Sequence, residues 1–232
     1  MTAATSQIYG QIRDRLVQGK LRVGEKVSEQ SLAGELGVSR TPVREAIKRL
    51  QTEGYLEQVH RSGTIVREPS IDEVAEAYDL RIALEPYALK TAPAEKISDA
   101  LPGLTRLCEQ LKALAPKVVD PINEKARNEI AQMFFDCDRS FHKLLLVCSG
   151  NRRFASLVES ARLFAQIHGV SRHSIITFEI IMGVYHHHAE IVDHLRDRRF
   201  DLAGEALARH IRMSKLGAID WMTFHREQKK PG

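Results

Sequence analysis

Residues 28–54 read SEQSLAGELGVSRTPVREAIKRLQTEG, and this stretch decides the fold of the first seventy residues. Ser28 offers a hydroxyl to cap a helix in which Leu32 and Leu36 share one side, and Gly37 supplies a left-handed stop. A tight turn follows at Gly37-Val38. A second helix opens at Ser39, accepts Pro42 in its first turn, where no intrahelical N–H bond is lost, and runs to Glu53 before Gly54 ends it. Two helices joined so briefly predict a helix-turn-helix.

Upstream, Ile8, Ile12 and Leu16 fall at helical spacing between Ser6 and Gln18, predicting a first helix that Gly19 closes. Downstream, residues 55–59 and 64–67 are short strand-like runs separated by His60-Arg61-Ser62-Gly63, whose Ser-Gly step is a turn signal; they predict a β-hairpin wing. Ser70 with Glu73 reads as a capping box. The domain boundary is therefore expected there, with a winged helix-turn-helix over 1–69 and a second domain over 70–232.

The second domain carries helical periodicity alone, interrupted by prolines at 93, 102, 116 and 121, by Ser149-Gly150-Asn151 and by the region from Gly169 to Ser174. Six helices are expected, at about 71–90, 97–114, 122–148, 152–169, 175–197 and 201–224, packed as an antiparallel bundle. The fold class is thus mainly α. The tail from Arg226 to Gly232 is polar and expected to fray.

A chain of 232 residues accommodates two domains of this size. No stretch approaches the roughly 18 uninterrupted apolar residues that a membrane span needs. The first ten residues have neither a basic start nor an apolar core, so no secretory leader is expected and a cytoplasmic location follows. Cys108, Cys137 and Cys148 form no C-x-x-C pair, and their odd number suits reduced core thiols. The net charge of +4 decides little, but its placement does: Arg40, Arg44, Lys48, Arg49, Arg61 and Arg67 face only Glu45, Glu53 and Glu57 in the winged region.

A recognition helix meets the major groove with its N-terminal residues, which here are Arg40, Thr41 and Arg44. Arginine can bond bidentately to guanine O6 and N7. Lys48 and Arg49 lie further along, where phosphate contact or solvation is expected instead. A single module of this kind contacts few base pairs, so a homodimer on palindromic half-sites is the expected partner arrangement.

In the third helix of the bundle, Phe134, Asp138, Phe141, His142 and Leu145 recur at three- and four-residue steps, placing a carboxylate and an imidazole on one apolar face. A buried carboxylate needs a cation or a hydrogen-bond donor. The pair alone is equally served by an Asp–His hydrogen bond. His188 has apolar helical neighbours in Ile191, Val192 and Leu195, and His210 in Ala203, Ala206, Leu207 and Met213; both are expected to face inward. Three imidazoles and one carboxylate can hold a divalent metal ion. His168, His173, His186, His187 and His194 are expected at the surface or in loops.

The run SRTPVREA at 39–46, with Leu50, the EGYL at 53–56 and the RSGT at 61–64, resembles the GntR transcriptional regulators. That resemblance implies base and phosphate contacts from Arg40 and Arg44, and contacts of His60, Arg61 and Gly63 on the wing with the neighbouring minor groove or backbone. Residues 71–232 are similar to the FCD effector domain of the FadR subfamily: Leu80-Arg81, Leu84-Glu85-Pro86, Asp138-x-x-x-His142, Gly150-Asn151, His188-x-x-Ile191 and His210-Ile211 carry the likeness, and six helices favour its VanR-like branch. The resemblance implies zinc, nickel, manganese or a similar ion on Asp138, His142, His188 and His210, and a small organic acid as effector.

The function so read is a DNA-binding transcriptional regulator, expected to repress, not an enzyme. An effector carboxylate or hydroxyl would complete the ion's coordination while Arg81 or Asn151 binds its other polar groups; Arg81 is equally explained by a salt bridge to Glu85 at the next turn. Two alternatives stand beside this. A metal-dependent hydrolase would need a positioned acid or base, of which no motif such as H-E-x-x-H is present. A regulator with a purely structural metal would need no effector at that ion.

Overall fold

The computed structural model describes residues 3–121, 123–168 and 176–228, with the backbone alone at 3, 163 and 165–168. The chain divides into two compact units, the first built on the residues up to Ser70 together with 163–168, and the second on 71–162 and 176–228.

The first unit contains α1 (Ala3–Val17), α2 (Glu29–Leu36), α3 (Arg40–Thr52), β1 (Leu56–Val59) and β2 (Gly63–Val66). Ser28 caps α2 by accepting the Ser31 N–H at 3.3 Å, and Gly37 ends it at φ +65°, which lets the Val38 N–H reach the Ala33 carbonyl at 3.0 Å. Ile8, Ile12 and Leu16 of α1, Leu32 of α2, and Val43, Ala46, Ile47 and Leu50 of α3 bury one shared core with Tyr55, Leu56 and Val66. Polar bonds fix α1 along α3. Thr5 donates to Glu45 at 2.9 Å and Tyr9 to Glu53 at 2.5 Å.

The hairpin is antiparallel, with Leu56 opposite Val66 and Val59 opposite Gly63. Lys26 pairs as a bridge with Ile65, and Val27 donates its N–H to the Thr64 carbonyl at 2.8 Å. The segment before α2 thus flanks β2, a pairing that the sequence patterns do not predict because Lys26 stands in no periodic run.

The rest of the chain contains six α-helices among the described residues: α4 (Ile71–Lys90), α5 (Ala94–Leu114), α6 (Glu124–Cys148), α7 (Arg152–His168), α8 (Phe178–Arg196) and α9 (Phe200–Gln228), with one 3-10 turn at Ala115–Val118; all but 163–168 at the end of α7 belong to the second unit. Helix α5 begins three residues earlier than predicted because Pro93, which lacks an N–H, serves as its N-cap. Helix α9 continues past residue 224 to Gln228. Asn123 and Thr177 cap α6 and α8 through side-chain oxygens. The break expected from Gly169 to Ser174 lies outside the described residues.

Helix α4 packs along α9 and α6, α5 against α6 and α8, and α8 against α9. Leu104, Leu111, Phe141, Ile181, Ile191, Leu207 and Ile211 are wholly enclosed between them. All three cysteines are free; Cys108 and Cys148 are buried, and burial pushes the Cys108 thiol up to about 12. No described helix is long and apolar enough to cross a membrane.

Gly37 offers a clean test of the turn. A Cβ there would meet nothing within 4 Å, so Gly37→Ala should act through backbone strain alone and lower stability by about 1–2 kcal/mol. Denaturant unfolding of the first unit measures this, and an unchanged midpoint would contradict the left-handed stop.

Candidate nucleic-acid interface and metal centre

In the first unit, α3 turns Val43, Ala46, Ile47 and Leu50 inward at three- and four-residue steps. The same helical period leaves Arg40, Thr41, Arg44 and Lys48 exposed on the opposite side. Glu29, the first residue of α2, meets both leading arginines: Arg44 Nε donates to its two oxygens at 3.1 and 3.3 Å, and Arg40 Nη2 donates at 3.5 Å.

The other bases of the winged region divide. The Arg49 guanidinium lies 3.8 Å over the Tyr9 ring, and its Nε donates to Glu53 at 2.7 Å. Arg67 donates through Nε to the Gly54 carbonyl at 2.8 Å. These two bases have structural partners within the unit; Arg49, still exposed, helps to fasten α1 to α3. On the wing, His60 and Arg61 are exposed, Arg61 at φ +65° and Gly63 at φ +86°. A side chain at 63 would press on Lys26, whose Cε stands 3.3 Å from the Cβ position. The wing tip therefore projects two polar side chains over a glycine that the neighbouring segment keeps bare.

In the second unit, α6, α8 and α9 bring four donors together. His210 Nε2 stands 3.2 Å from His142 Nε2 and 3.3 Å from His188 Nε2. Asp138 Oδ1 lies 3.5 Å from His142 Nε2, 3.5 Å from His188 Nε2 and 3.6 Å from His210 Nε2. His142 and His188 are fully buried and His210 nearly so, whereas the Asp138 side chain keeps 23% exposure.

A second ring of charges holds these donors. Glu85 of α4 accepts from His142 Nδ1 and, at 2.7 Å, from Arg81 Nε. Arg162 of α7 donates to Asp138 at 2.8 Å and lies 3.8 Å from Glu85. Burial alone would raise the Glu85 and Asp138 carboxyls. The charges of His142 and Arg81 on Glu85, and of His142 and Arg162 on Asp138, outweigh it and hold both below the usual carboxylate range. Burial pushes the imidazoles down, His188 to about 4 and His210 to about 3, so both are neutral at pH 7.

His142 sets Nδ1 against Glu85 and turns Nε2 toward His210 and Asp138. Three imidazole nitrogens gathered at 3.2–3.3 Å from one another in a buried site, two of them on rings that burial keeps neutral at pH 7, suit a shared cation. Separations of 3.2–3.6 Å agree with donors around one ion at about 2.0–2.1 Å. The four donors therefore fit a divalent metal of the zinc, nickel or manganese type.

Arg81 is buried on Glu85, the salt-bridge alternative weighed from its sequence. Asn151 is exposed, and its side-chain oxygen accepts the Arg153 and Phe154 N–H groups at 3.0 and 3.3 Å, which starts α7. His186 is exposed, but His187 reaches His210 with Nδ1 atoms 3.4 Å apart. His173 and the side chain of His168 lie outside the described residues. The part of Glu85 in orienting His142 and that of Arg162 in pairing Asp138 escaped the sequence reading. A signal existed in α4, where Val74, Tyr78, Arg81, Glu85 and Ala88 share the buried stripe.

Residues 4–66 match the family model described as bacterial regulatory proteins, gntR family, and residues 76–213 match the FCD domain model. The uncharacterized HTH-type transcriptional regulator YdhC of Bacillus subtilis is 31% identical over 66% of this chain and 64% of its own. The gluconate operon transcriptional repressor of the same organism is 33% identical over 44% of this chain and 42% of its own. The chain thus spans less than two thirds of the length of these relatives. In fold, the chain is similar to E. coli McbR/YncC, with a TM-score of 0.72 at 19% identity over 96% of this chain and all of the other. A regulator from Rhodococcus sp. RHA1 gives 0.71 at 21% identity over 94% and 99%. With the FCD match alone covering more than half of its residues, this chain belongs to the GntR family of bacterial regulatory proteins and carries an FCD domain.

Proposed function

We propose that this transcriptional regulator is a cytoplasmic homodimer that represses by binding palindromic operator DNA, and that a small organic acid at a divalent ion in the helical unit modulates that binding. Arg40, Thr41 and Arg44 would read base edges, and His60, Arg61 and Gly63 would follow the adjacent backbone or minor groove. The observation that carries the sensing half is the convergence of three Nε2 atoms and one carboxylate oxygen within 3.2–3.6 Å. Asp138, His142, His188 and His210 would hold the ion, which would supply a Lewis-acidic position for an effector oxygen.

The charges of this chain favour an anion there. Arg81 and Arg162 balance Glu85 and Asp138, and the two histidines with depressed pKa are neutral, so a divalent ion would leave the buried cluster in excess of positive charge. Arg162 is suited to meet a carboxylate: it is buried, and its Nε and Nη1 make no hydrogen bond among the described residues. It would stand beside Arg81 or Asn151 in binding the effector's other polar groups; Arg81 also meets Glu85, and Asn151 also caps the start of α7. A relative named for the gluconate operon supports starting with sugar acids. Repressor names among the relatives support repression as the sense of control.

Three measurements test the reading. Against a duplex enriched by the wild-type chain from a random-sequence library, Arg44→Ala should weaken binding by about 1–3 kcal/mol at fixed salt; equal affinity would remove Arg44 from base reading. Purified protein should contain about one divalent ion per chain by elemental analysis, lost in His142→Ala and His210→Ala but kept in His186→Ala; retention in all three would sink the metal centre. Sugar acids and hydroxy acids should raise the melting temperature of the metal-loaded protein and shift its DNA affinity. Equal shifts after the metal is stripped would leave the ion without a part in sensing.

A further inference from the structure

The function of Glu29 follows from its bonds. It is the first residue of α2, on the helix before the reading helix, and its side chain is only 27% exposed although it lies among side chains that are 51% and 60% exposed. Coulomb's law makes a carboxylate unwelcome beside a phosphate backbone, and that penalty falls on every DNA sequence alike. What it does for the arginines is different. Both Glu29 oxygens engage Arg44 through Nε alone, and Glu29 Oε2 engages Arg40 through Nη2 alone. These contacts use neither Nη group of Arg44, and those two groups are the end-on fork that matches O6 and N7 of a guanine. An unrestrained exposed arginine would instead lose much of its rotamer freedom on docking.

We propose that Glu29 is a positioning residue for sequence reading: it holds the guanidinium groups of Arg40 and Arg44 in one orientation, so that they distinguish bases instead of merely attracting phosphates. This rests on the reading of α3 as the element that enters the groove. Its signature is opposite changes in two affinities, which neither a structural role nor simple repulsion produces.

The experiment compares the wild-type chain with Glu29→Gln, Glu29→Asp and Glu35→Gln. Each is titrated onto the duplex enriched by the wild type and onto a scrambled duplex of the same composition, with helicity and melting followed by circular dichroism. In Glu29→Gln, scrambled binding should hold or tighten while enriched binding weakens, so that the ratio of the two falls about tenfold. Glu29→Asp keeps the charge and retracts the carboxylate by one methylene; its ratio should fall with scrambled binding unchanged, and it decides the matter if the glutamine variant melts early. Glu35→Gln removes the same charge from the same helix, where the partner is Arg15 at 2.5 Å, and should leave the ratio alone. Parallel tightening on both duplexes in Glu29→Gln, an unchanged ratio in both Glu29 variants, or an equal fall in Glu35→Gln overturns the proposal. Failure of the wild type to enrich any duplex overturns the parent reading, and this inference with it.

Discussion

A carboxylate enclosed in a helical bundle must be matched by positive charge or by hydrogen-bond donors, and the second unit is arranged around two of them. Glu85 and Asp138 come from different helices; both meet His142 and Arg162, and Glu85 also meets Arg81. Removing either carboxylate would strand a buried guanidinium, and removing either guanidinium would strand a carboxylate; broken buried pairs of this kind cost about 3–5 kcal/mol. The same pairing sets the chemistry of the histidines. With one nitrogen of His142 committed to Glu85, the other is turned toward His210 and Asp138. A ligand shell is thus oriented from behind by a structural ion-pair network.

How much of this was readable before the fold was known depended on the distance over which a partner had to be inferred. Asp138 and His142 are four apart on one helix, so their shared face follows from the helical period alone. The inward setting of His188 and His210 could be argued from apolar neighbours on their own helices. Glu85 and His142 are separated by 57 positions, and nothing local to either announces the other; periodicity places Glu85 in a buried stripe without naming what it meets. Arg162 is hidden for the same reason. Asn151 shows a local role that its sequence position also announces: a polar residue at a helix start caps α7 through its oxygen.

In the first unit, the turn chemistry made the fold legible nearly residue by residue, because Ser28, Gly37, Pro42 and Gly54 each act on their own backbone. The basic surface was legible only in part. Counting arginines between residues 40 and 67 treats them as equivalent, but Tyr9 and Glu53 occupy Arg49, and the Gly54 carbonyl occupies Arg67. Charge that is spent on holding α1 to α3, or the chain to the wing, is visible in sequence only as charge.

The short bridge between Lys26 and Ile65 joins features that are far apart in the chain. Lys26 stands three positions before Glu29, and it is fastened by its backbone to β2 and by its side chain to the space beside Gly63. The hairpin and the start of α2 are therefore mechanically one piece. Anything that displaces the hairpin would also bear on the segment that leads into Glu29, the carboxylate that meets Arg40 and Arg44.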